Sequence, residues 1–556
     1  MSAKPPTTTK DQLPLDQEAA TMLADRGGAT LSTSSRAGPR YDPGGRISLN
    51  ADDSDDDDSG NETCDPAMRP TLATRLRAAI VRFFHEIGFL NMVKAPFDVR
   101  ILLVQHFSRV FAFGTSTLIM TLYFNALGFP KTVTGLLETG ALMGDLVISF
   151  VLSMFADTVG RRRIIRLSCL LMCASGVVFA LSDNVYVLLV TCILGIVSPS
   201  GSEVGPFRAI EESTIAHLTP VSSRADVYSW YALIGRFGMA LGTMFCGTLV
   251  QALQEKYEWS NIRAYKFAFI FYALMAFIMF IGSFMLSDEC ELELVRQRKI
   301  RNQEREAESV ENSITERQEE SNESVELLVD NTEEPEELSR RADDLENEQP
   351  KKRRGIREYL PKLTVDALKT LAILVPLIFL DSFGGGLAGN GWIAFYFKDR
   401  FGVKEGTLGR MFFFANLIAM GSALVSAAIA RHIGLVQTML VAHVPSSIAL
   451  GLIPSAATFG LGRVLFFIRA GTHMMDQAPR QAFISSIVSK DERTNIMAIV
   501  SVVRTLSNSA GPTITGTFAG QGRIWISFVL AMSVKLMYDF GVMSFFLRRG
   551  VVRARS

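Results

Sequence analysis

Twelve long apolar stretches limit what this chain can fold into more than any other feature. They run near 101–125, 135–156, 164–182, 185–207, 228–250, 267–286, 371–397, 407–430, 435–455, 460–484, 494–519 and 524–547. A helix rises 1.5 Å per residue, so about 20 apolar residues cross a hydrocarbon core of about 30 Å. The reading is an all-α membrane protein with twelve transmembrane helices, six before a hydrophilic gap and six after it. Hydrophobic residues make up 48% of the chain although one long segment is almost entirely charged, which rules out a soluble enzyme. The 56 basic residues equal the 56 acidic ones, so no basic excess points to nucleic acid. Cys64, Cys169, Cys173, Cys192, Cys246 and Cys290 form no CxxC pair and lie mostly in apolar stretches, where they read as packing residues without disulfides. The N-terminus is polar from Met1, so no cleavable signal is visible and the first membrane helix does the targeting.

Between these stretches the composition marks the remaining parts. Residues 1–70, with an acidic run over 52–58, cannot bury enough apolar surface to fold and read as a disordered acidic tail, regulatory if Ser54 is modified. Over 71–97, Leu76, Ile80, Phe83, Ile87 and Leu90 recur at helical spacing between Arg75, Arg77, Arg82 and Lys94, as in an amphipathic interfacial helix. An N-terminal six-helix bundle occupies 98–286 and a charged linker 287–365. A C-terminal six-helix bundle fills 366–548, and a basic tail 549–556 ends the chain.

The halves resemble each other. Asp157-Thr158-Val159-Gly160 has a degenerate counterpart in Arg431-His432-Ile433-Gly434. Glu203, Pro206 and Ala209 match Asp476, Pro479 and Ala482, and Arg236 matches Arg504, all at offsets of about 270 residues. A duplicated six-helix unit explains this, and paired halves build many secondary transporters. Short loops give a charge tie, since Lys398, Arg400 and Lys404 offset Arg161, Arg162 and Arg163. The basic tail and the linker cluster Lys351, Lys352, Arg353 and Arg354 place both termini and the linker in the cytoplasm, in a plasma or vacuolar membrane.

The loop Ala156-Asp157-Thr158-Val159-Gly160-Arg161-Arg162-Arg163 joins a tight Gly turn, one acid and three arginines, a set that can clamp helix ends by charge-assisted hydrogen bonds. It resembles the D-R-x-G-R-R/K signature of the major facilitator superfamily, with Thr158 at the usual basic position and Ser153 in place of the Gly that often opens it. Gly205 to Glu211, with Pro220 and Arg224 beyond, is similar to the P-x-x-x-x-E, Pro, then Arg pattern of sugar porters, with Arg208 at the aromatic position. The phrase SPSGSEVGPF, 198–207, looks like fungal members. The resemblance covers 97–550. It implies two pseudo-symmetric six-helix bundles working by alternating access, with helices 3, 6, 9 and 12 outside. It also implies a cytoplasmic gate in which Glu211 or Glu212 meets Arg161, Arg162 and Arg163, alongside Asp157, Gly160 and Arg224.

Depth singles out a further set. At 1.5 Å per residue, Arg109, Arg236, Asp381 and Arg504 lie about 12 to 15 Å from the inner edge, and Asp145, Asn416 and Arg469 about 14 to 15 Å from the outer one. Charges there cost several kcal/mol unless paired or hydrated. One reading pairs Arg109 with Asp145 and Arg469 with Asp381 as internal struts. The other sets four arginines against two aspartates, a positive cavity for an anionic solute with an Asp free to carry a proton. Gly384, Gly385 and Gly386 on helix 7 read as a locally unwound hinge, and Gly511-Pro512 as a milder breaker. Lys535 and Asp539, spaced i, i+4, read as a pair.

No Walker A loop, HExxH or Cys/His ligand cluster occurs, so no cofactor, metal or enzymatic activity is expected. The partners expected are a small solute, protons and the bilayer, around a single chain. Two rival readings stand. One is multidrug or toxin efflux, although helix 5 lacks the G-x-x-x-G-P-x-x-G-G pattern of drug:proton antiporters. The other is a non-transporting receptor on the same scaffold.

Overall fold

The computed structural model describes residues 88–199, 206–291, 297, 300–301, 364–488 and 492–547. The acidic tail, most of the interfacial helix, nearly all of the linker and the basic tail lie outside the described residues. What is described of the interfacial segment is a short helix, α1 (Phe89–Val93), capped by Gly88 at φ 68°, so no helix runs unbroken through residue 88.

In lipid every backbone N–H and C=O must be satisfied within the protein, which helices do locally. The first bundle holds α2 (Phe97–Ala126), α3 (Lys131–Val159), α4 (Arg161–Leu181), α5 (Val185–Leu194), α6 (Pro206–Leu218), α7 (Val221–Tyr257) and α8 (Asn261–Gly282). The second holds α9 (Val365–Leu387), α10 (Asn390–Phe401), α11 (Glu405–Ile433), α12 (Leu435–Leu452), α13 (Phe459–Met475), α14 (Gln477–Ile487), α15 (Arg493–Gly520) and α16 (Trp525–Val542). Their ends follow local chemistry. Pro96, Pro130 and Pro220 immediately precede helices, where a missing N–H costs nothing. Asn184, Ser260, Thr364 and Thr458 cap others by accepting from backbone N–H groups. The turns after α3 and α11 rest on Gly160 at φ 105° and Gly434 at φ 90°, values that L side chains avoid.

Among the described residues, eight helical stretches are long and apolar enough to cross a membrane, with α9 and α10 together forming one of them. The other four crossings depart from that template for physical reasons. The first and eleventh, α2 and α15, are long but carry inward polar residues such as His106, Arg109 and Arg504. The fourth and tenth are split in two. Twelve transmembrane helices thus form two pseudo-symmetric bundles. The same neighbours recur in each: first with fifth and seventh with eleventh, second with fourth and eighth with tenth, third with sixth and ninth with twelfth. Between the bundles, α3 packs on α15 and α7 on α11.

Three breaks differ from the expected single helices. After α5 the chain leaves the helix at Gly195, and side chains satisfy the freed backbone. Tyr272 donates to the Ile196 carbonyl at 2.6 Å, Ser116 and Thr117 to that of Ser198 at 3.0 and 3.2 Å, and the Ile196 N–H donates to Ser175 Oγ at 3.2 Å. Crossing 7 breaks at Ala388 and Gly389, not at the expected hinge: Gly384, Gly385 and Gly386 are helical. Their lack of side chains serves contact instead, since a Cβ on Gly386 would sit 2.1 Å from the Asn508 carbonyl oxygen on α15. Pro512 likewise lies within a continuous α15. Crossing 10 changes direction at Asp476. Cys169, Cys192, Cys246 and Cys290 are buried free thiols, as a packing role requires.

Candidate functional site

In the N-terminal bundle, crossings 1, 4 and 5 converge on Glu211, which is 0% exposed. Arg109 grips its carboxylate with both terminal nitrogens, one at 2.8 Å, and the Tyr231 hydroxyl donates to it at 2.7 Å. His106 lies 3.6 Å from Glu211, stacks on the Tyr231 ring and touches the Arg109 guanidinium at 2.9 Å, which itself covers the Phe207 ring. A bidentate Arg–carboxylate pair of this kind is the strong form of ionic contact. The partner of Arg109 is therefore Glu211, and the expected strut to Asp145 is not formed, because α6 carries Glu211 inward at the level of Arg109. Asp145 is buried on α3 and its Oδ1 has no hydrogen-bond partner.

The C-terminal bundle answers with a larger cluster. Asp381 on α9 accepts from Arg480 on α14 and from Lys535 on α16 at 2.7 Å, and lies 3.0 Å from the His443 ring on α12. The other ring nitrogen of His443 meets Asp539 at 2.7 Å, and Asp476 lies 3.4 Å from the Arg480 guanidinium. Two expected pairs are corrected here: Asp381 is held by Arg480 and Lys535 instead of Arg469, and Lys535 pairs with Asp381 instead of Asp539. On α16, Lys535 and Asp539 point into the bundle toward different partners. The ninth and twelfth crossings, expected on the outside, thus contribute His443, Lys535 and Asp539 to the interior. The two clusters correspond: Arg109 to Glu211 ties crossing 1 to crossing 4, and Asp381 to Arg480 ties crossing 7 to crossing 10 with the charges exchanged.

Once these ties and the fully buried Asp145 are removed from the expected cavity set, Arg236, Asn416, Arg469 and Arg504 remain, all half-buried. Arg236 reaches across to Gln477 of the other bundle at 3.5 Å, and Asn416 donates to the Phe412 carbonyl of its own helix. Among the described residues no carboxylate lies within ion-pair distance of Arg469 or Arg504. A guanidinium about 15 Å along α13 or about 16 Å along α15, partly exposed and with no ion pair among the described residues, is costly against lipid and favours a wet cleft.

The gate residues behave differently from expectation. The side chain of Asp157 lies outside the described residues. The backbone N–H groups of Arg161 and Arg162, at the α4 N-terminus, donate to the Glu291 carboxylate at 2.7 and 3.1 Å, where the helix dipole favours an anion. The Arg162 guanidinium holds Asp288, and among the described residues Arg163 reaches the Val159 carbonyl alone. Glu212 pairs with Arg208, and Arg224 donates to the Thr219 carbonyl. The arginine loop thus clamps the chain leaving crossing 6, while Glu211 is committed to Arg109. At the opposite face the bundles are sealed. Thr139 on α3 donates to the Ser509 carbonyl on α15 at 2.8 Å, Tyr265 on α8 donates to Glu405 on α11 at 2.6 Å, and Glu138 is buried beside Thr121 and Gly391. There Gly247 meets Gly409 and Gly135 meets Gly516, so the helices touch backbone to backbone.

Sequence reasoning read His106 and His443 as packed or cavity-lining polar groups, as they are, but missed Tyr231, Glu138, Arg480, the site role of Asp476 and the inward roles of Lys535 and Asp539. The repeat offset offered one signal, since Arg480 stands 269 residues after Glu211, close to the 272 between Arg109 and Asp381.

A sequence model of the Major Facilitator Superfamily matches residues 102–512. An uncharacterized membrane protein of Saccharomyces cerevisiae is 31% identical over 461 residues, 83% of this chain and 96% of its own. The arabinose-proton symporter of Bacillus subtilis is 24% identical over 197 residues, 35% of this chain and 40% of its own. Among solved structures, a D-xylose-proton symporter aligns with a TM-score of 0.57 at 14% identity, over 80% of this chain and 97% of that one, a likeness of fold.

Proposed function

The chain belongs to the major facilitator superfamily, and from that premise we propose a secondary active transporter that moves a small organic anion by alternating access, coupled to protons. The observation that carries the anionic reading is the pair Arg469 and Arg504. Both stand at mid-depth, half-exposed, with no carboxylate partner among the described residues, whereas Arg109 and Asp381 are neutralised within their own bundles. A guanidinium left open in a wet cleft binds carboxylate or phosphate bidentately, with Arg236 and Asn416 as flanking donors. Arg109, Asp145 and Asp381 then leave the solute shell. Asp145 and the carboxyls around Asp381 remain the candidate proton carriers. The arabinose-proton and D-xylose-proton symporters lend support to proton coupling.

The sealed face is the one where α2 ends and α3 begins. With both termini and the linker cytoplasmic, in a plasma or vacuolar membrane, that face is outer and the cleft opens inward. The Arg161 to Glu291 clamp then belongs to the inner gate, with Asp157, Gly160, Arg163 and Arg224 around it. The protein works as a single chain.

The test uses purified protein in proteoliposomes, a uniformly 13C-labelled cell extract outside, an imposed pH gradient and mass spectrometry of the lumen. Accumulation of one or a few carboxylates or phosphate esters, lost in Arg469→Gln and Arg504→Gln, is the expected result. Accumulation of neutral or hydrophobic compounds untouched by either substitution overturns the anionic reading.

A further inference from the structure

We propose that Asp381, His443 and Asp539 form a one-proton site, and that this site holds the coupling proton. The proposal rests on the proton-coupled reading above and names the place where that reading acts. A neutral imidazole carries one N–H and one lone pair. His443 has a carboxylate oxygen at each nitrogen, Asp539 at 2.7 Å and Asp381 at 3.0 Å, so a neutral ring between two ionised carboxylates would set lone pair against lone pair. One further proton resolves the conflict, either on the ring or on the carboxyl that faces its bare nitrogen.

Charge counting reaches the same number independently. The buried groups packed together are the carboxylates Asp381, Asp476 and Asp539 and the basic side chains Arg480 and Lys535. Three negative charges against two positive leave one in excess, and a single proton makes the cluster neutral. A buried net charge in the membrane interior is costly, so the proton is favoured there. Half-buried Arg469 on α13 and Arg504 on α15 add positive field from the cleft side, half-buried His473 on α13 lies near the cluster, and the Tyr538 ring on α16 packs edge-on with His443. Asp539 Oδ2 is buried without a hydrogen-bond partner, which gives the proton a second resting place.

The consequence for movement follows from connectivity. The exchange is a proton transfer alone: an N–H or O–H bond in the site breaks, one forms on cleft water, and no electrons change owner. When the proton leaves, His443 satisfies one carboxylate, and the other competes for Arg480 and Lys535. Arg480 is the tie from α14 to α9, and α14 is the short half-helix beyond the break at Asp476. Proton occupancy therefore sets how firmly the linker-face half of crossing 10 is held to crossing 7.

The experiment uses full-length protein in nanodiscs with 15N-labelled histidine, the His443 signal being assigned by its loss in His443→Gln. Expected is a ring protonated at both nitrogens near neutral pH, or a neutral ring with a carboxylic-acid C=O stretch that vanishes in Asp539→Asn. In the first case Asp539→Asn lowers the ring's half-titration by about one pH unit or more, and Asp539→Glu restores it. A neutral ring with no such carboxylic acid overturns the site. Uptake from the labelled extract separates the two levels. Wild-type uptake indifferent to the pH gradient overturns proton coupling, whatever His443 does. A gradient response undiminished in His443→Gln overturns this site alone. The site predicts that His443→Gln loses gradient-driven accumulation.

Discussion

Neutralising one member of the Arg109 to Glu211 tie should cost far more than neutralising both. The ionic oxygens and nitrogens include a contact of 2.8 Å between side chains that are 1% and 0% exposed. At an effective dielectric of 20, that separation corresponds to about 6 kcal/mol of gross attraction. Desolvation offsets much of it, but removing one partner strands the other charge, at a cost of about 3–5 kcal/mol. Arg109→Gln and Glu211→Gln are each expected to destabilise by that amount. The double Gln variant, whose amides can bond each other and Tyr231, should recover most of the loss. The assay is reversible unfolding in mixed micelles with SDS, read as a double-mutant cycle. The same variants separate a strut from a solute ligand: if Arg109 only braces crossings 1 and 4, the double variant still transports. Additive losses in the cycle, or a stable double variant with no transport at all, would refute this reasoning.

Three further outcomes follow from the geometry. Gly386→Ala drives a methyl into the Asn508 carbonyl and should destabilise by about 1–3 kcal/mol, whereas Gly421→Ala, with nothing within 4 Å, should be neutral or stabilising by up to about 1 kcal/mol; thermal unfolding compares them. Thr139 and Thr513 face each other at 2.7 Å across the bundle interface, so Thr139→Cys with Thr513→Cys should oxidise readily and halt transport until reduced, and unchanged transport after verified cross-linking would count against the seal. Burial pushes the Cys290 thiol up to about 12, with the Asp98 carboxylate adding to the rise, so it should resist maleimide at pH 7.5 in folded protein and react once unfolded, as mass spectrometry would show.

The apolar stretches made the twelve crossings legible, since length and composition are enough to cross lipid. The repeat was legible too, and Gly160 and Gly434 show why: both halves need a left-handed turn at the same place. Partner choice was less readable. Arg109 was matched to Asp145 on depth alone, but depth does not say which way a side chain points, and the break after α5 is what brings α6 and Glu211 to it. Gly384 to Gly386 misled because glycine both loosens helices and lets them touch, and only the position of Asn508 separates the two uses. Lys535 and Asp539 looked like an i, i+4 surface pair because their outside partners, Asp381 and His443, are distant in sequence.

The buried ionic ties close within a half: Arg109 with Glu211 in one, Asp381 with Arg480 and Lys535 in the other. Rocking the halves past each other therefore breaks none of those contacts. What must part at the sealed face is the exposed Lys404–Glu255 ion pair, a handful of polar bonds, as from Thr139 to Ser509 and from Tyr265 to Glu405, and a smooth seam of small residues. An exposed ion pair such as Lys404–Glu255 is worth at most about 1 kcal/mol and is screened by salt, so the resistance to motion comes mainly from the close backbone contact of that seam, and the rate of turnover should respond to roughening it more sharply than to salt.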